Sequence, residues 1–230
     1  MASLFAAHHG QMSDAFRTTI FLTLSGGFQD AYTYMGRGHV FANAQTGNIV
    51  LCATHLCEGE LSEALRYLTP LLAFAAGVYF AEWVRRHWRS EKFHWRQFIL
   101  LLEILFLLVV GFVPEGGNAL ANALVSFVCA MQVQSFRKVH GNAYASTMCI
   151  GNLRSGMHNL YAGLHGTDRT PLRRAAQYFG VIGLFAVGAA AGSLLTMRYG
   201  FRVIWCCCAL LAVSLGLMFI REEESGSGPI

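Results

Sequence analysis

The residues best suited to handling a small polar or ionic ligand fall in two short stretches. Phe41-Ala42-Asn43-Ala44-Gln45-Thr46-Gly47-Asn48 and Gly141-Asn142-Ala143-Tyr144-Ala145-Ser146-Thr147-Met148 crowd amides and hydroxyls into apolar surroundings, and the second runs on through Gly151-Asn152-Leu153-Arg154. Lipid cannot satisfy such groups, so at membrane depth they are tolerated only where protein or a water-filled cavity surrounds them. Both stretches are therefore expected to face inward, as broken helices whose amides and carbonyls coordinate a polar solute or an ion. Upstream of the first lies Asp30, a carboxylate inside an apolar run, and such residues commonly mark ion or proton pathways. Gly26 and Gly27, one turn earlier, allow close backbone approach or a bend. Arg154 offers a guanidinium to an anionic solute group or to Asp30. The candidate binding set is Asp30, Asn43, Gln45, Thr46, Gly47, Asn48, Gln134, Thr147, Gly151, Asn152 and Arg154. The competing reading is that the same groups only hydrogen-bond helix to helix.

Other reactive side chains carry less. Glu103 is a second intramembrane carboxylate without a polar motif beside it, and Glu82, next to a basic loop, reads as a paired interface residue. His39, His55, His140 and His158 have no HExxH or similar zinc spacing. The seven cysteines, Cys52, Cys57, Cys129, Cys149 and Cys206–Cys208, form no CxxC pair and read as apolar thiols. No Ser/His/Asp constellation and no P-loop is present, so the expectation is a protein that is not an enzyme and that needs no cofactor and no metal centre. Any active transport would then be driven by an ion gradient or by a separate ATPase.

The elements that must position these groups follow from composition. Of 230 residues 54% are apolar and only 13% charged, against roughly 25% charged in an average chain. That is too little charge to coat a soluble domain. A net charge of +4, with the basic residues in loops, argues against a nucleic-acid partner. The chain reads as all-α, a polytopic membrane helical bundle whose partner is the lipid bilayer. Apolar runs near the ~20 residues needed to cross a bilayer are expected at Thr18–Met35, Val40–Cys57, Leu68–Val84, Phe98–Val113, Ala119–Phe136, Tyr144–Tyr161, Ala175–Met197 and Val203–Ile220. These divide the chain into an N-terminal tail (1–17), one membrane domain (18–220) and a C-terminal tail (221–230). The polar opening, with His8 and His9, lacks the pattern of a removable signal peptide.

Two internal repeats are expected, at about 18–113 and 119–220. Gln45-Thr46-Gly47-Asn48-Ile49 is echoed by Cys149-Ile150-Gly151-Asn152-Leu153 at an offset of 104, which sets Asp30 opposite Gln134 and Asn43 opposite Thr147. Ala73-x-x-x-Gly77 matches Gly188-x-x-x-Gly192 at an offset of 115, a small-residue spacing that lets helices pack closely. Repeats of this kind build transporters whose sites lie at the repeat interface. Cytoplasmic loops concentrate Lys and Arg, and Arg85, Arg86, Arg89, Lys92 and Arg96 mark one such loop. The distribution of basic residues is most lopsided with six full spans and two polar re-entrant segments, the second and sixth. Both termini then lie inside and the repeats are inverted. The alternative is eight spans with parallel repeats.

Gly26-Gly27-Phe28-Gln29-Asp30-Ala31, Gly38-His39-Val40-Phe41 and Thr46-Gly47-Asn48 together resemble the signature of the YoaK family of bacterial multi-pass membrane proteins, which carry a domain of unknown function. Gln132-x-Gln134-Ser135-Phe136-Arg137 followed by Gly151-Asn152-Leu153 is similar to that family's second motif. Where the family often has a second Thr-Gly-Asn, this chain has Ile150-Gly151-Asn152. The resemblance implies a bacterial inner-membrane location and about six helices, and leaves the substrate open. The repeat, the polar stretches and Asp30 themselves point to a secondary transporter or channel for a small polar or ionic solute. The alternative is a membrane scaffold or partner subunit, and homo-oligomerisation is compatible with either.

Overall fold

The computed structural model describes residues 16–88, 94–139, 142–143 and 146–226. Eight α-helices follow one another: α1 (Phe16–Gly36), α2 (Gln45–Cys57), α3 (Leu61–His87), α4 (Trp95–Val110), α5 (Asn118–Ser135), α6 (Cys149–His165), α7 (Thr170–Tyr199) and α8 (Trp205–Gly226). Among the described residues the extended chain contributes a two-residue antiparallel pairing, Lys138–Val139 with Asn142–Ala143. The architecture is all-helical, as the composition implies. Arg89, Lys92, His140 and Tyr144, and the opening stretch with His8 and His9, lie outside the described residues.

The distribution of side chains is the reverse of a soluble protein's. Large apolar groups cover the outside, with Ile150 79% and Tyr79 75% exposed and Met197, Leu194 and Phe112 close behind. Polar groups are concentrated within: Thr18, Thr19, Thr23, Ser25, Gln29 and Thr33, all on α1, are buried. An apolar exterior of this extent is what a helical bundle presents to hydrocarbon. Three helical stretches, Leu61–His87, Glu115–Ser135 and Thr170–Phe219, are long and apolar enough to cross a membrane. The last joins α7 to α8 through Gly200, whose φ of 73° suits glycine, and a 3-10 turn at Gly200–Ile204.

Two of the expected spans begin five residues later than their apolar runs. The second starts at Gln45 rather than Val40, and the sixth at Cys149 rather than Tyr144. In the first case the chain between Arg37 and Ala44 is held in a non-helical path by side chains that compete for its backbone groups. The resulting α2 has 13 residues, about 20 Å at 1.5 Å per residue, short of the ~30 Å of hydrocarbon.

α1 and α5 form the centre. The most extensive packing pairs α1 with α7 and α3 with α5; α2 lies on α3 and α6 on α7, while α4 and α8 close the bundle against α5, α1 and each other. The two main pairings meet backbone to backbone. A Cβ built at Gly188 or Gly192 of α7 would collide with Leu24 O or Phe28 O of α1, and one at Gly27 with Phe185 O of α7. On the other side, a Cβ at Gly77 of α3 would collide with Phe127 O of α5. The small-residue spacing read from the sequence is therefore a packing device.

The C-terminal end of α4 is closed by Arg37. Its side chain is fully buried. Nη2 donates to Val110 O at 3.1 Å and Val113 O at 2.9 Å, Nη1 to Pro114 O at 3.2 Å and Asn118 Oδ1 at 3.1 Å, and Nε to the Tyr32 hydroxyl at 2.9 Å. The guanidinium lies 3.8 Å from the Phe201 ring centroid, and Asn122 Nδ2 donates back to Arg37 O at 2.9 Å. The orphan carbonyls at the end of α4 are thus satisfied by a cation, the sign of charge a helix C-terminus favours.

The glycine seams yield opposite outcomes for two superficially similar changes. Gly192→Leu is expected to destabilise the protein by about 1–3 kcal/mol through forced separation of α1 and α7. Gly180→Ala, where a Cβ meets nothing within 4 Å, should be neutral or stabilise by up to ~1 kcal/mol. Thermal unfolding of the two variants in detergent checks both signs.

Candidate functional site

Asp30 lies two turns before Arg37 on α1 and is 8% exposed. Its Oδ1 accepts the Asn43 backbone N–H at 2.8 Å, and the amides of Ala42 and Ala44 lie beside the carboxylate. Ala44 is the N-cap of α2 and has no capping side chain of its own. Asp30 does not accept from the first turn of α2 itself; it fixes the chain one residue before the N-cap. It places negative charge where a nest of N–H groups and the start of a helix favour it.

The loop that Asp30 grips is shaped from its other side by the motif residues. Asn48 Oδ1 accepts from Phe41 N at 3.2 Å, and Asn48 Nδ2 donates to Phe41 O at 2.7 Å and Gln45 Oε1 at 3.0 Å. Gln45 Nε2 donates to Ala42 O at 2.8 Å. These bonds occupy the backbone of Phe41 and Ala42 and explain why the helix starts only at Gln45.

Gly26, one turn before Asp30, is the meeting point of the two halves of the chain. Asn43 Nδ2 donates to Gly26 O at 3.3 Å, and the Thr147 methyl sits where a Gly26 Cβ would stand, with Gln132 Nε2 beside it. Gln132 Nε2 also donates to Leu22 O at 3.2 Å and to Ser146 Oγ at 2.9 Å. Asn43 Oδ1, Gln132 Oε1 and Thr147 Oγ1 are buried and have no hydrogen-bond partner. On a neighbouring face of α1, Gln29 Nε2 donates to Ser25 Oγ at 2.9 Å and to Oε1 of the fully buried Glu103 at 3.0 Å, while Gln29 Oε1 accepts from Cys129 Sγ at 2.9 Å. Glu103 Oε2 is unpartnered.

The structure thus gathers Asp30, Asn43 and Thr147, with Gln45 and Asn48 supporting their loop. Asn152 is buried on α6, and Gly47 packs on the Phe41 ring. Three expected members point away: Thr46, Gly151 and Arg154 are exposed. Helix phase is the reason. Each residue turns about 100° around an α-helix, so Thr46 lies on the face opposite Asn48, and Arg154 on the face opposite Asn152. Gln134 likewise faces opposite Gln132, and its Nε2 donates to Glu82 Oε2 at 3.1 Å instead of turning toward Asp30. Glu82 also pairs with Arg85 and Arg86, the interface role its position suggested. Arg154, considered as a partner for Asp30, is exposed, and Arg37 is committed to the end of α4. Gln132, Gln29 and Glu103 complete the polar interior. The first two lay inside the quoted motifs, and a helical wheel of α1 would have put Leu22, Gly26, Gln29 and Thr33 on one stripe.

No nucleophile–base pair is assembled in this interior. Among the described residues, the one grouping with metal-ligand geometry is His55, Glu58 and Glu60 at the turn after α2, where His55 Nδ1 is 2.8 Å from Glu60 and 3.4 Å from Glu58. All seven thiols are free, with Cys206 exposed and Cys207 and Cys208 buried, as divergence around a helix requires.

A family described as "Protein of unknown function (DUF1275)" matches residues 18–217. The chain belongs to that family. It is also 27% identical over 205 residues, 83% of this chain and 89% of the other, to "UPF0700 transmembrane protein YoaK" of Bacillus subtilis (strain 168). The resemblance read from the glycine and Thr-Gly-Asn motifs is thereby shown, and this DUF1275 chain is a membrane protein in contact with the lipid bilayer. No solved structure matches it.

The adjacent motif residues of this DUF1275 member separate in a mutational test. Asn48→Ala leaves the Phe41 N–H and carbonyl without their partners and is expected to cost about 1–3 kcal/mol. Thr46→Ala, on the exposed face, should stay within about 0.5 kcal/mol. Denaturation in detergent, followed by tryptophan fluorescence, distinguishes the two.

Proposed function

We propose that this protein is a secondary transporter or channel for a small polar or ionic solute, with its site between two helical repeats. The observation that carries the reading is the set of buried oxygens around Gly26 and Asp30, drawn from both halves of the chain inside an apolar exterior. Asn48 and Gln45, which shape the loop, are paired at both ends of their amides. Asn43 Oδ1, Gln132 Oε1 and Thr147 Oγ1 are not. Those two paired residues favour the second reading, a membrane scaffold, for the loop itself. In the transport reading they hold the loop in shape.

Packing supports the repeat. Exchanging α1 with α5, α2 with α6, α3 with α7 and α4 with α8 maps each of the main helix pairings onto another or onto itself. The starts of α2 and α6, at Gln45 and Cys149, stand at the offset of 104 read from the motif. The short α2 supports re-entry rather than crossing for the second segment, and with it six spans, inverted repeats and both termini inside a bacterial inner membrane. The basic turn bearing Arg85, Arg86 and Arg96 is then cytoplasmic.

Topology is checked by labelling single cysteines placed at Ser62 and Thr170 in a background cleared of exposed thiols. Six crossings put the two on opposite sides of the membrane; labelling from one side would restore eight crossings and parallel repeats. Function is checked in reconstituted vesicles with a panel of radiolabelled small polar and cationic solutes. The wild type should accumulate at least one above protein-free vesicles. Asp30→Asn, which keeps the size and removes the charge, should lower gradient-driven uptake at least tenfold while the protein still folds and inserts. Accumulation independent of any ion gradient and unchanged by Asp30→Asn would return Asp30 to a purely architectural role.

A further inference from the structure

We infer that the cluster beside Gly26 is a coordination site for a dehydrated monovalent metal cation, formed by Asn43 Oδ1, Gln132 Oε1 and Thr147 Oγ1 with Asp30 as its counter-charge. The inference rests on the transport reading and specifies the ion to which that site answers.

Four observations converge on it. The unpartnered atoms are all oxygens able to accept or coordinate: an Asn carbonyl, a Gln carbonyl and a Thr hydroxyl. Asn43 is 5% exposed, Thr147 7% and Gln132 0%, so each is beyond nine-tenths buried, where an unmet acceptor is expensive. All three side chains are held against one place. Asn43 Nδ2 is on Gly26 O, the Thr147 methyl is over the Gly26 Cα, and Gln132 Nε2 is alongside it, anchored by Leu22 O and Ser146 Oγ. These anchors use the donor end of each amide and leave its oxygen directed elsewhere. Finally, the local charge is negative. Asp30 is four residues after Gly26, hence on the same face of α1, whereas Arg37 is committed to the carbonyls of α4 and Arg154 is exposed.

The chemistry narrows the ligand. An anion would meet a carboxylate and acceptor oxygens, so it is excluded. Neutral oxygens with one carboxylate form a hard donor set that suits a group 1 or group 2 ion rather than a soft one. Asp30 is the carboxylate on the Gly26 face and balances one positive charge, while Glu103 on the neighbouring face is held by Gln29; a divalent ion would be left uncompensated where buried charge is costly. Residues of both halves contribute, Asn43 from the loop before α2 and Thr147 from the stretch before α6. Binding would therefore bias how the two halves sit against each other.

The test needs no knowledge of the solute. Thermal unfolding of the detergent-solubilised full chain is followed in LiCl, NaCl, KCl and choline chloride at constant ionic strength. At least one of the three metal ions should raise Tm saturably over choline, by about 3 °C or more. Thr147→Val preserves shape and removes only an oxygen that makes no protein hydrogen bond. Its Tm in choline should equal or exceed wild type, while the cation concentration giving half the rise should increase at least tenfold. Asp30→Asn should abolish the rise. Equal Tm in all four salts, a rise given by MgCl2 or CaCl2 alone, or an unchanged half-point in Thr147→Val would each overturn the proposal. Because the readout is stability, a negative result here leaves the vesicle uptake result standing, and a cation-specific rise in a protein that moves no solute would fault the transport reading instead.

Discussion

The guanidinium of Arg37 fixes the frame in which everything else is placed. A helix end leaves carbonyls without intrahelical partners, and α4 ends against the buried Arg37 side chain. Arg37 meets those carbonyls with donors from α1, reaches Asn118 at the start of α5, and is covered by Phe201 from the turn between α7 and α8. Four elements are thereby pinned at one corner. A lysine could not do this, since it lacks the planar fork that serves several acceptors at once. With the end of α1 fixed, the depth of Asp30, Gly26 and Leu22 along the same helix is fixed too.

From that corner α1 descends through the bundle with its polar side chains turned inward, and each is placed by a partner from elsewhere in the chain. Gln29 is held by Glu103 of α4 and Cys129 of α5, Asp30 by the amides before α2, and Gly26 by Asn43 and Thr147. The interior is polar because α1 is polar, and α1 tolerates this because α7, α5 and α8 seal it from lipid. The hydrogen bonds are the means by which short, irregular segments are seated inside the bundle.

The helices were largely legible in the sequence, because spans declare themselves by apolar length and the membrane leaves few alternatives to a helix. Boundaries failed where side chains rather than hydropathy decide them: Val40 to Ala44 is apolar enough to belong to a helix, yet Asn48, Gln45 and Asp30 take its backbone groups first. The site was legible in part. A run of polar residues was read as one inward-facing unit, whereas helical phase divides it, keeping Asn48 and Asn152 inside and turning Thr46, Gly151 and Arg154 out. Gln132 and Gln134 show the same division, and only the first belongs to the interior. Glu103 and Arg37 acquired their roles from partners 74 and 73 to 81 positions away. No local pattern encodes such pairings.

The seams between α1 and α7 and between α3 and α5 differ in kind from the Arg37 corner. At Gly27, Gly188 and Gly192 one helix backbone lies on another, and at Gly77 the same holds for the second pair. Interdigitated side chains resist sliding, because each must change rotamer for the next to pass; bare backbone offers no such teeth. The molecule therefore combines one stiff corner with two smooth bearings, and a shear along the bearings is the motion its construction resists least.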